Sequence, residues 1–175
     1  LYAALDIRAA LNEFTGNGVL TISAGVGMFD KNYPIARMAF ETGALEDAAK
    51  LHEEVREDGA SHLKDAVALW RSDAVFSWDD MANIVEPRMR ELADTFERNE
   101  KGKAFIYKMI SLLRNYDQVI SAPRFAYLLA RSFENDKQNG DDLCRKFYAW
   151  ASDEKQRRYL IAALEWYVYS TRERG

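Results

Sequence analysis

The sequence predicts an α+β protein in which a short α/β half precedes an all-helical half. Apolar residues alternate with a period of two over Val19–Val26, which is typical of a β-strand. The segments on both sides of that strand have the three- and four-residue spacing of helices. Beyond Phe76 every apolar stripe has helical spacing, so we expect a helical bundle there.

The predicted elements of the α/β half follow in order. A first helix carries an apolar stripe and ends at Gly16. In the strand Val19–Val26, one face is apolar (Leu20, Ile22, Ala24, Val26) and the other is small or polar (Thr21, Ser23, Gly25). A short helix then begins near Pro34 and is broken by Gly43. A second helix, with His52 on its apolar side, runs to Gly59, and two short strands follow at Ala66–Trp70 and Ala74–Phe76.

The helical half opens at Ser77-Trp-Asp-Asp80, which resembles a capping box. Its first helix is expected to kink or restart near Pro87, because proline cannot donate a backbone hydrogen bond. Four further helices are predicted, at Lys103–Asn115, Ala122–Lys137, Asp141–Ala151 and Glu154–Arg172. We place the domain boundary near Phe76, which gives one domain over residues 1–76 and a second over 77–175.

Composition limits the possible classes of function. The 175 residues are 48% hydrophobic and 30% charged, which is typical of a folded globular protein. The net charge of −4 argues against a surface that binds nucleic acid everywhere, so any RNA contact is expected to be local or indirect. The apolar runs are too short to span a membrane. The single cysteine, Cys144, excludes an internal disulfide and fits a cytoplasmic location.

The α/β half is too small to form a complete layer. Its helix, strand, helix pair and weak hairpin resemble the second half of a ferredoxin-like βαββαβ unit. The chain also begins at Leu1 without a methionine, so we expect it to be a piece of a longer protein. Without the neighbouring strands, the edge of Val19–Val26 is expected to be unpaired, and the isolated chain could self-associate through it.

Several blocks of sequence resemble one known family. Leu20-Thr-Ile-Ser-Ala-Gly-Val26, Tyr33-Pro-Ile-Ala-Arg-Met-Ala39 and Leu45-Glu-Asp-Ala-Ala-Lys50 resemble the second palm of the large subunit of type III-A (Csm) CRISPR effector complexes. The resemblance continues through Phe76-Ser-Trp-Asp-Asp80 and Arg124-Phe-Ala-Tyr-Leu-Leu-Ala-Arg131. It implies a nucleotide-cyclase-like palm followed by a helical domain that contacts the other subunits of the complex, with guide and target RNA reached indirectly.

The resemblance also implies a nucleotide site. Lys50 would contact ATP phosphates, and Ser23 and Gly25 would line the nucleotide cleft. The parent subunit would use ATP and Mg²⁺ or Mn²⁺ to make cyclic oligoadenylate, and a separate domain would cut single-stranded DNA. This sequence lacks the Gly-Gly-Asp-Asp hairpin and the His-Asp pair of that family. We therefore expect the chain alone to be inactive and to bind no cofactor stably.

Other interpretations remain open. The chain could be a non-catalytic scaffold that docks small subunits and RNA, or more remotely part of a diguanylate-cyclase-like (GGDEF) signalling protein, whose palm has a similar strand and lysine helix. Asn139-Gly-Asp-Asp142 resembles a degenerate metal-binding hairpin, but helical patterns flank it, so we interpret Asp141 as a helix cap. The basic residues Lys155, Arg157 and Arg158 are interpreted as a solvated helix face. The aromatic residues near the C-terminus are interpreted as bundle core (Phe147, Tyr148, Trp150, Tyr159, Trp166, Tyr167, Tyr169).

Overall fold

A computed structural model describes residues 1–16, 20–55, 61–136 and 139–171. Within these ranges the chain forms two compact units, Leu1–Asn83 and Ile84–Gly175. The first combines helices with short strands and the second is entirely helical, so the predicted α+β class is confirmed. No helix in these ranges is both long enough and apolar enough to cross a bilayer.

Among its described residues, the first unit contains two long helices and five short strands. The elements are α1 (Tyr2–Thr15), β1 (Ala24–Val26), α2 (Ile35–Lys50), β2 (Glu53–Val55), β3 (Ser61–Leu63), β4 (Ala66–Leu69) and β5 (Val75–Ser77). One sheet has the strand order β1-β4-β5, with β1 parallel to β4 and β4 antiparallel to β5. The strands β2 and β3 form a separate antiparallel pair. The central strand β4 is fully buried, and α2 packs on β1 and β4.

The strand β1 is shorter than the predicted Val19–Val26. It pairs with β4 only from Ala24↔Val67 to Val26↔Leu69. Asp65, just before β4, has φ 53°, a left-handed conformation that cannot continue a strand. Leu20, on the predicted apolar face, is 57% exposed, and Val19 lies outside the described residues. The strand β1 therefore begins only where β4 is extended and can pair with it.

The predicted break in the helix at Gly43 is wrong. The helix α2 runs without interruption from Ile35 to Lys50, and Pro34 is its N-cap. One internal glycine costs a helix only about 1 kcal/mol, and the packing of Leu45 and Ala49 against the sheet outweighs it. The predicted second helix to Gly59 is also wrong, because residues 53–55 form strand β2. Gly59 itself lies outside the described residues.

The helical position predicted for His52 is wrong, although the side chain is partly buried, as a residue on an apolar stripe would be. His52 follows α2, and its backbone carbonyl accepts a hydrogen bond from the Lys64 amide at 2.9 Å. The residue is partly exposed and begins the turn into β2 instead of lying on a helical stripe. The two later strands were predicted correctly to within a residue or two. Trp70 ends β4 because it has a left-handed φ of 57°.

The predicted cap at Ser77 is confirmed. The Ser77 hydroxyl accepts a hydrogen bond from the Asp80 amide at 3.1 Å, and the short helix α3 (Trp78–Asp80) begins there. Buried Trp78 donates its indole N–H to the Ile22 carbonyl at 2.7 Å. A π-helical turn, Met81–Val85, follows α3, and the predicted restart at Pro87 is confirmed, because that proline lies in the first turn of the next helix.

The second unit contains the predicted helices. They are α4 (Glu86–Arg98), α5 (Lys103–Arg114), α6 (Ser121–Ser132), α7 (Gly140–Ser152) and α8 (Glu154–Ser170). The helix α8 is central and packs on α4, α5 and α7. Its residues Leu160 to Trp166 are all buried, so it forms the axis of the bundle. The helix α6 is five residues shorter than expected at its C-terminal end, since Phe133 leaves the helix and enters the core.

Aromatic side chains fill the core of the second unit. Phe96 contacts the rings of Phe105, Phe147 and Tyr167, and Phe147 also stacks on Phe133 with centroids 5.9 Å apart. The interpretation of the C-terminal aromatics as core is confirmed for Phe147, Tyr159 and Trp166, which are buried. Trp150, Tyr167 and Tyr169 are half-buried, and Tyr148 is 45% exposed.

One buried cation was not predicted from the sequence. Arg88 is only 7% exposed and its guanidinium lies 4.1 Å from the centroid of the Trp150 ring. It donates hydrogen bonds to the backbone carbonyl and to the side-chain oxygen of Gln156, at 3.0 and 2.6 Å. Burial lowers the pKa of Arg88 to about 10, so the group stays charged at neutral pH. These bonds tie α4 to α8 inside the bundle.

Candidate functional site

The predicted nucleotide residues lie on one β–α–β unit, formed by β1, α2 and β4. Because β1 and β4 are parallel, α2 runs back in the opposite direction between them. Ser23 lies just before β1 and Lys50 is the last residue of α2. Both residues therefore lie at the amino-terminal end of the parallel strands. Gly25, in the middle of β1, lies between that end and the opposite one.

The Ser23 hydroxyl is buried and unusual in its bonding. Among the residues that the structure describes, its Oγ has no hydrogen-bond partner. Leaving a buried hydroxyl without a hydrogen-bond partner destabilises a protein by about 1–3 kcal/mol. The same Oγ atom is shielded from solvent, so a ligand could reach it only if the residues around it moved, and a contact between Ser23 and a nucleotide stays a prediction.

Lys50 is an exposed cation held by acidic neighbours on its own helix. Its Nζ lies 2.7 Å from a Glu46 carboxylate oxygen and 4.0 Å from one of Asp47. The hydrogen bond to Glu46, followed by the charges of Glu46 and Asp47, raises the pKa of Lys50, so the amine is protonated at neutral pH. These are surface pairs one helical turn apart and are weak. A phosphate group could replace them without breaking any buried contact.

Gly25 faces helix α2. A Cβ at this position would lie 2.5 Å from the Thr42 carbonyl oxygen, 2.6 Å from the Glu46 amide nitrogen and 2.7 Å from the Leu45 Cβ. The missing side chain therefore allows the strand and helix backbones to approach closely. This contact is sufficient reason for a glycine here, and a contact between Gly25 and a nucleotide stays a prediction.

A crevice at the other end of the unit was missed by the sequence analysis. It follows the carboxyl ends of β1 and β4 and encloses about 460 Å³. Phe29 stacks on Tyr33 with ring centroids 5.4 Å apart, and the Tyr33 hydroxyl is hydrogen-bonded to Glu41. That bond raises the pKa of Tyr33. The four-residue spacing of Phe29 and Tyr33 beside Pro34 was the available signal, but loop aromatics alone do not indicate a site.

The segment Asn139–Asp142 begins a helix. Asn139 is the N-cap of α7, and Asp141 and Asp142 lie in its first turn, so the interpretation of Asp141 as the cap itself is wrong by two residues. Gly140 is buried, and a Cβ there would lie 2.5 Å from the Phe133 carbonyl oxygen. Within the described ranges, no group of three or more His, Cys, Asp or Glu side chains is arranged to hold a metal ion.

The second unit matches a known family model. Residues 86–173 match the second helical domain of the Cmr2 subunit of the CRISPR RNA silencing complex. This match covers about half of the chain and includes the helices α4 to α8.

Three curated relatives match 97% of the chain, and all carry the name CRISPR system single-strand-specific deoxyribonuclease Cas10/Csm1 (subtype III-A). The protein from Enterococcus italicus is 42% identical over 172 residues, and those from Mycobacterium tuberculosis and Streptococcus thermophilus are 37% identical over 173 and 178 residues. The matches cover 20%, 20% and 22% of these relatives, so the chain spans about a fifth of their length. The chain belongs to the Cas10/Csm1 family of type III-A CRISPR large subunits and corresponds to their C-terminal part.

Proposed function

We propose that this chain supplies one wall of an ATP-binding palm in a type III-A CRISPR large subunit. The observation that carries the proposal is the arrangement of Ser23 and Lys50, which both lie at the amino-terminal end of the parallel strands. Buried Ser23 Oγ has no partner among the described residues, and Lys50 offers an exposed ammonium group. Together they fit a ligand that carries hydroxyl groups and phosphates.

Each of the two residues has a distinct role in this proposal. The Lys50 ammonium would leave its surface carboxylates and neutralise part of the charge on a triphosphate. The Ser23 hydroxyl would hydrogen-bond the sugar or the nearest phosphate. The described residues do not fit a metal site, because they hold no cluster of ligating side chains. Metal-dependent formation of cyclic oligoadenylate would therefore belong to the intact subunit, as would the deoxyribonuclease activity that the names of the relatives state.

The helical unit has a second proposed role, in docking other subunits of the complex. Several large apolar side chains are exposed on and between α5 and α6, including Val119 at 96%, Tyr107 at 56% and Ile120 at 52%. Exposed apolar groups in a cluster are typical of a protein interface. If docking is the whole function, the chain is a scaffold and the palm residues are inert.

The substitution Lys50→Ala in the intact, RNA-loaded complex tests the proposal. The loss of one charge-assisted phosphate contact should reduce cyclic oligoadenylate synthesis at subsaturating ATP by about tenfold to a hundredfold. The matched control is Lys31→Ala, which removes an exposed lysine elsewhere in the same unit. Binding of target RNA should be normal in both variants.

Unchanged synthesis by Lys50→Ala would refute the nucleotide role and favour the scaffold. Equal losses in the Lys50 and Lys31 variants would show a general effect of charge. A preference of the wild-type complex for GTP over ATP would instead support the diguanylate-cyclase-like alternative.

A further inference from the structure

A groove between α5 and α6 carries a concentration of positive charge. It encloses about 590 Å³, and its walls include the side chains of Lys108, Leu112, Arg124, Tyr127, Leu128 and Arg131. Three of these residues are cations, and no aspartate or glutamate lines the groove among the residues that the structure describes. We call this surface the α5–α6 groove. Its charge is opposite in sign to the net charge of −4 of the whole chain.

Two of the three cations have no acidic partner among the described residues. Within the described part of the chain, neither Lys108 nor Arg124 forms an ion pair, and both are exposed. Several cations elsewhere in the second unit lie close to carboxylates, for example Arg157 at 3.1 Å from Asp117 and Arg145 at 3.6 Å from Asp142. The groove therefore keeps its charge available for an anion from outside.

The third cation is held beside an exposed aromatic ring. Arg131 donates a hydrogen bond to the Tyr127 hydroxyl at 3.0 Å, and the Tyr127 side chain is 65% exposed. This bond, together with nearby Glu134, raises the pKa of Arg131, which is charged at every pH of interest. Half-buried Leu112 and Leu128 provide an apolar surface near the ring. The groove thus combines three cations with an aromatic face and an apolar surface.

We propose that the α5–α6 groove binds single-stranded nucleic acid, with phosphates on Lys108, Arg124 and Arg131 and a base stacked on Tyr127. Single-strand binding sites combine a basic groove with an exposed aromatic ring, because the backbone is anionic and each base has a π-face. An acidic peptide would use the cations but would leave the ring without a partner. The motif Arg124-Phe-Ala-Tyr-Leu-Leu-Ala-Arg131 supplies three of these four side chains from one helix. The proposal is independent of the nucleotide site of the first unit.

Fluorescence anisotropy with the full 175-residue chain tests the binding. The probes are a labelled 12-nucleotide oligouridylate, the matching oligothymidylate and a labelled oligoglutamate peptide. If three phosphates are neutralised, the logarithm of the affinity should fall with the logarithm of salt concentration with a slope of about −2. The two oligonucleotides distinguish RNA from DNA as the source of the strand. Absence of oligonucleotide binding at low salt, or binding of the glutamate peptide alone, would overturn the proposal.

Matched variants separate the groove from general charge. Arg124→Gln and Lys108→Gln should each weaken oligonucleotide binding and reduce the salt slope by about 0.7. The control Arg145→Gln, on α7 outside the groove, should leave both quantities unchanged. Tyr127→Leu should weaken binding by about fivefold or more, whereas Tyr127→Phe keeps the ring and most of the affinity.

These positions are exposed, so circular dichroism should show that each variant is folded. Equal binding by Arg124→Gln and wild type, or an equal loss in the Arg145 control, would show that the strand binds elsewhere.

Discussion

The substitution Gly25→Ala tests how β1 and α2 pack. The added Cβ would lie 2.5–2.7 Å from two backbone atoms and one Cβ of α2, whereas ordinary contacts begin at 3.4 Å. Backbone atoms cannot rotate away as a flexible side chain can, so the strand and the helix must separate by about 1 Å. Overpacking of this kind destabilises a protein by about 1–3 kcal/mol.

Gly43→Ala is the matched control, on the helix α2 against which Gly25 packs. A Cβ at Gly43 would meet no atom within 4 Å, and the residue lies inside the helix α2. Alanine here should therefore stabilise the helix by about 0.5–1 kcal/mol, since it has the higher helix propensity. The same chemical change is thus expected to have opposite signs at two positions that lie 18 residues apart.

Hydrogen–deuterium exchange can measure both effects locally, which avoids assuming that the two units unfold together. We expect the amides of α2 to exchange about tenfold faster in Gly25→Ala and a few-fold slower in Gly43→Ala, since a factor of ten corresponds to about 1.4 kcal/mol. Wild-type exchange rates in Gly25→Ala would refute the close packing of β1 on α2. Faster exchange in Gly43→Ala would show that this glycine has a role that the structure does not reveal.

Two further predictions concern the ends of elements. Asp141→Ala and Asp142→Ala should each lower the free energy of unfolding by at most about 1 kcal/mol, because each removes a negative charge from the first turn of α7. Both should leave nucleotide chemistry in the intact complex unchanged, and a metal ion bound by both carboxylates would contradict this. Among the described strands β1 pairs only with β4, so its other edge is free. We therefore expect the isolated chain to self-associate through this edge, or the β1 amides to be weakly protected from hydrogen exchange. A strict monomer by light scattering, with strong amide protection of Ala24–Val26, would show the reasoning to be wrong.

The helical half could be predicted from the sequence because its signals are local. The helix α5 was expected at Lys103–Asn115 and ends one residue earlier, and α7 differs from its predicted range by one residue at each end. Apolar spacing and helix caps lie within the segment that they define, so no knowledge of the rest of the chain is needed. The exception is the end of α6, where burial of Phe133 overrides its helical spacing.

The α/β half was harder because its elements depend on distant partners. Residues 53–55 looked like the continuation of a helix, but they form a strand because a second strand at 61–63 pairs with them. The β1 strand looked eight residues long, yet only three pair with β4. Alternation in a sequence shows which residues could share a face, but it cannot show how long the partner strand is.

The residues of the candidate site also differ in how far the sequence could predict their roles. Ser23 and Lys50 were chosen from a resemblance, and the fold places both at the same end of the β–α–β unit because α2 reverses direction between parallel strands. Gly25 was chosen with them for its small size, but its backbone lies against α2, where packing alone requires a glycine. Loss of ATP binding in a Gly25 variant would therefore report a displaced helix. Only Lys50, which is exposed and held by replaceable surface pairs, can be changed without disturbing the fold, so it is the residue whose substitution tests the nucleotide site.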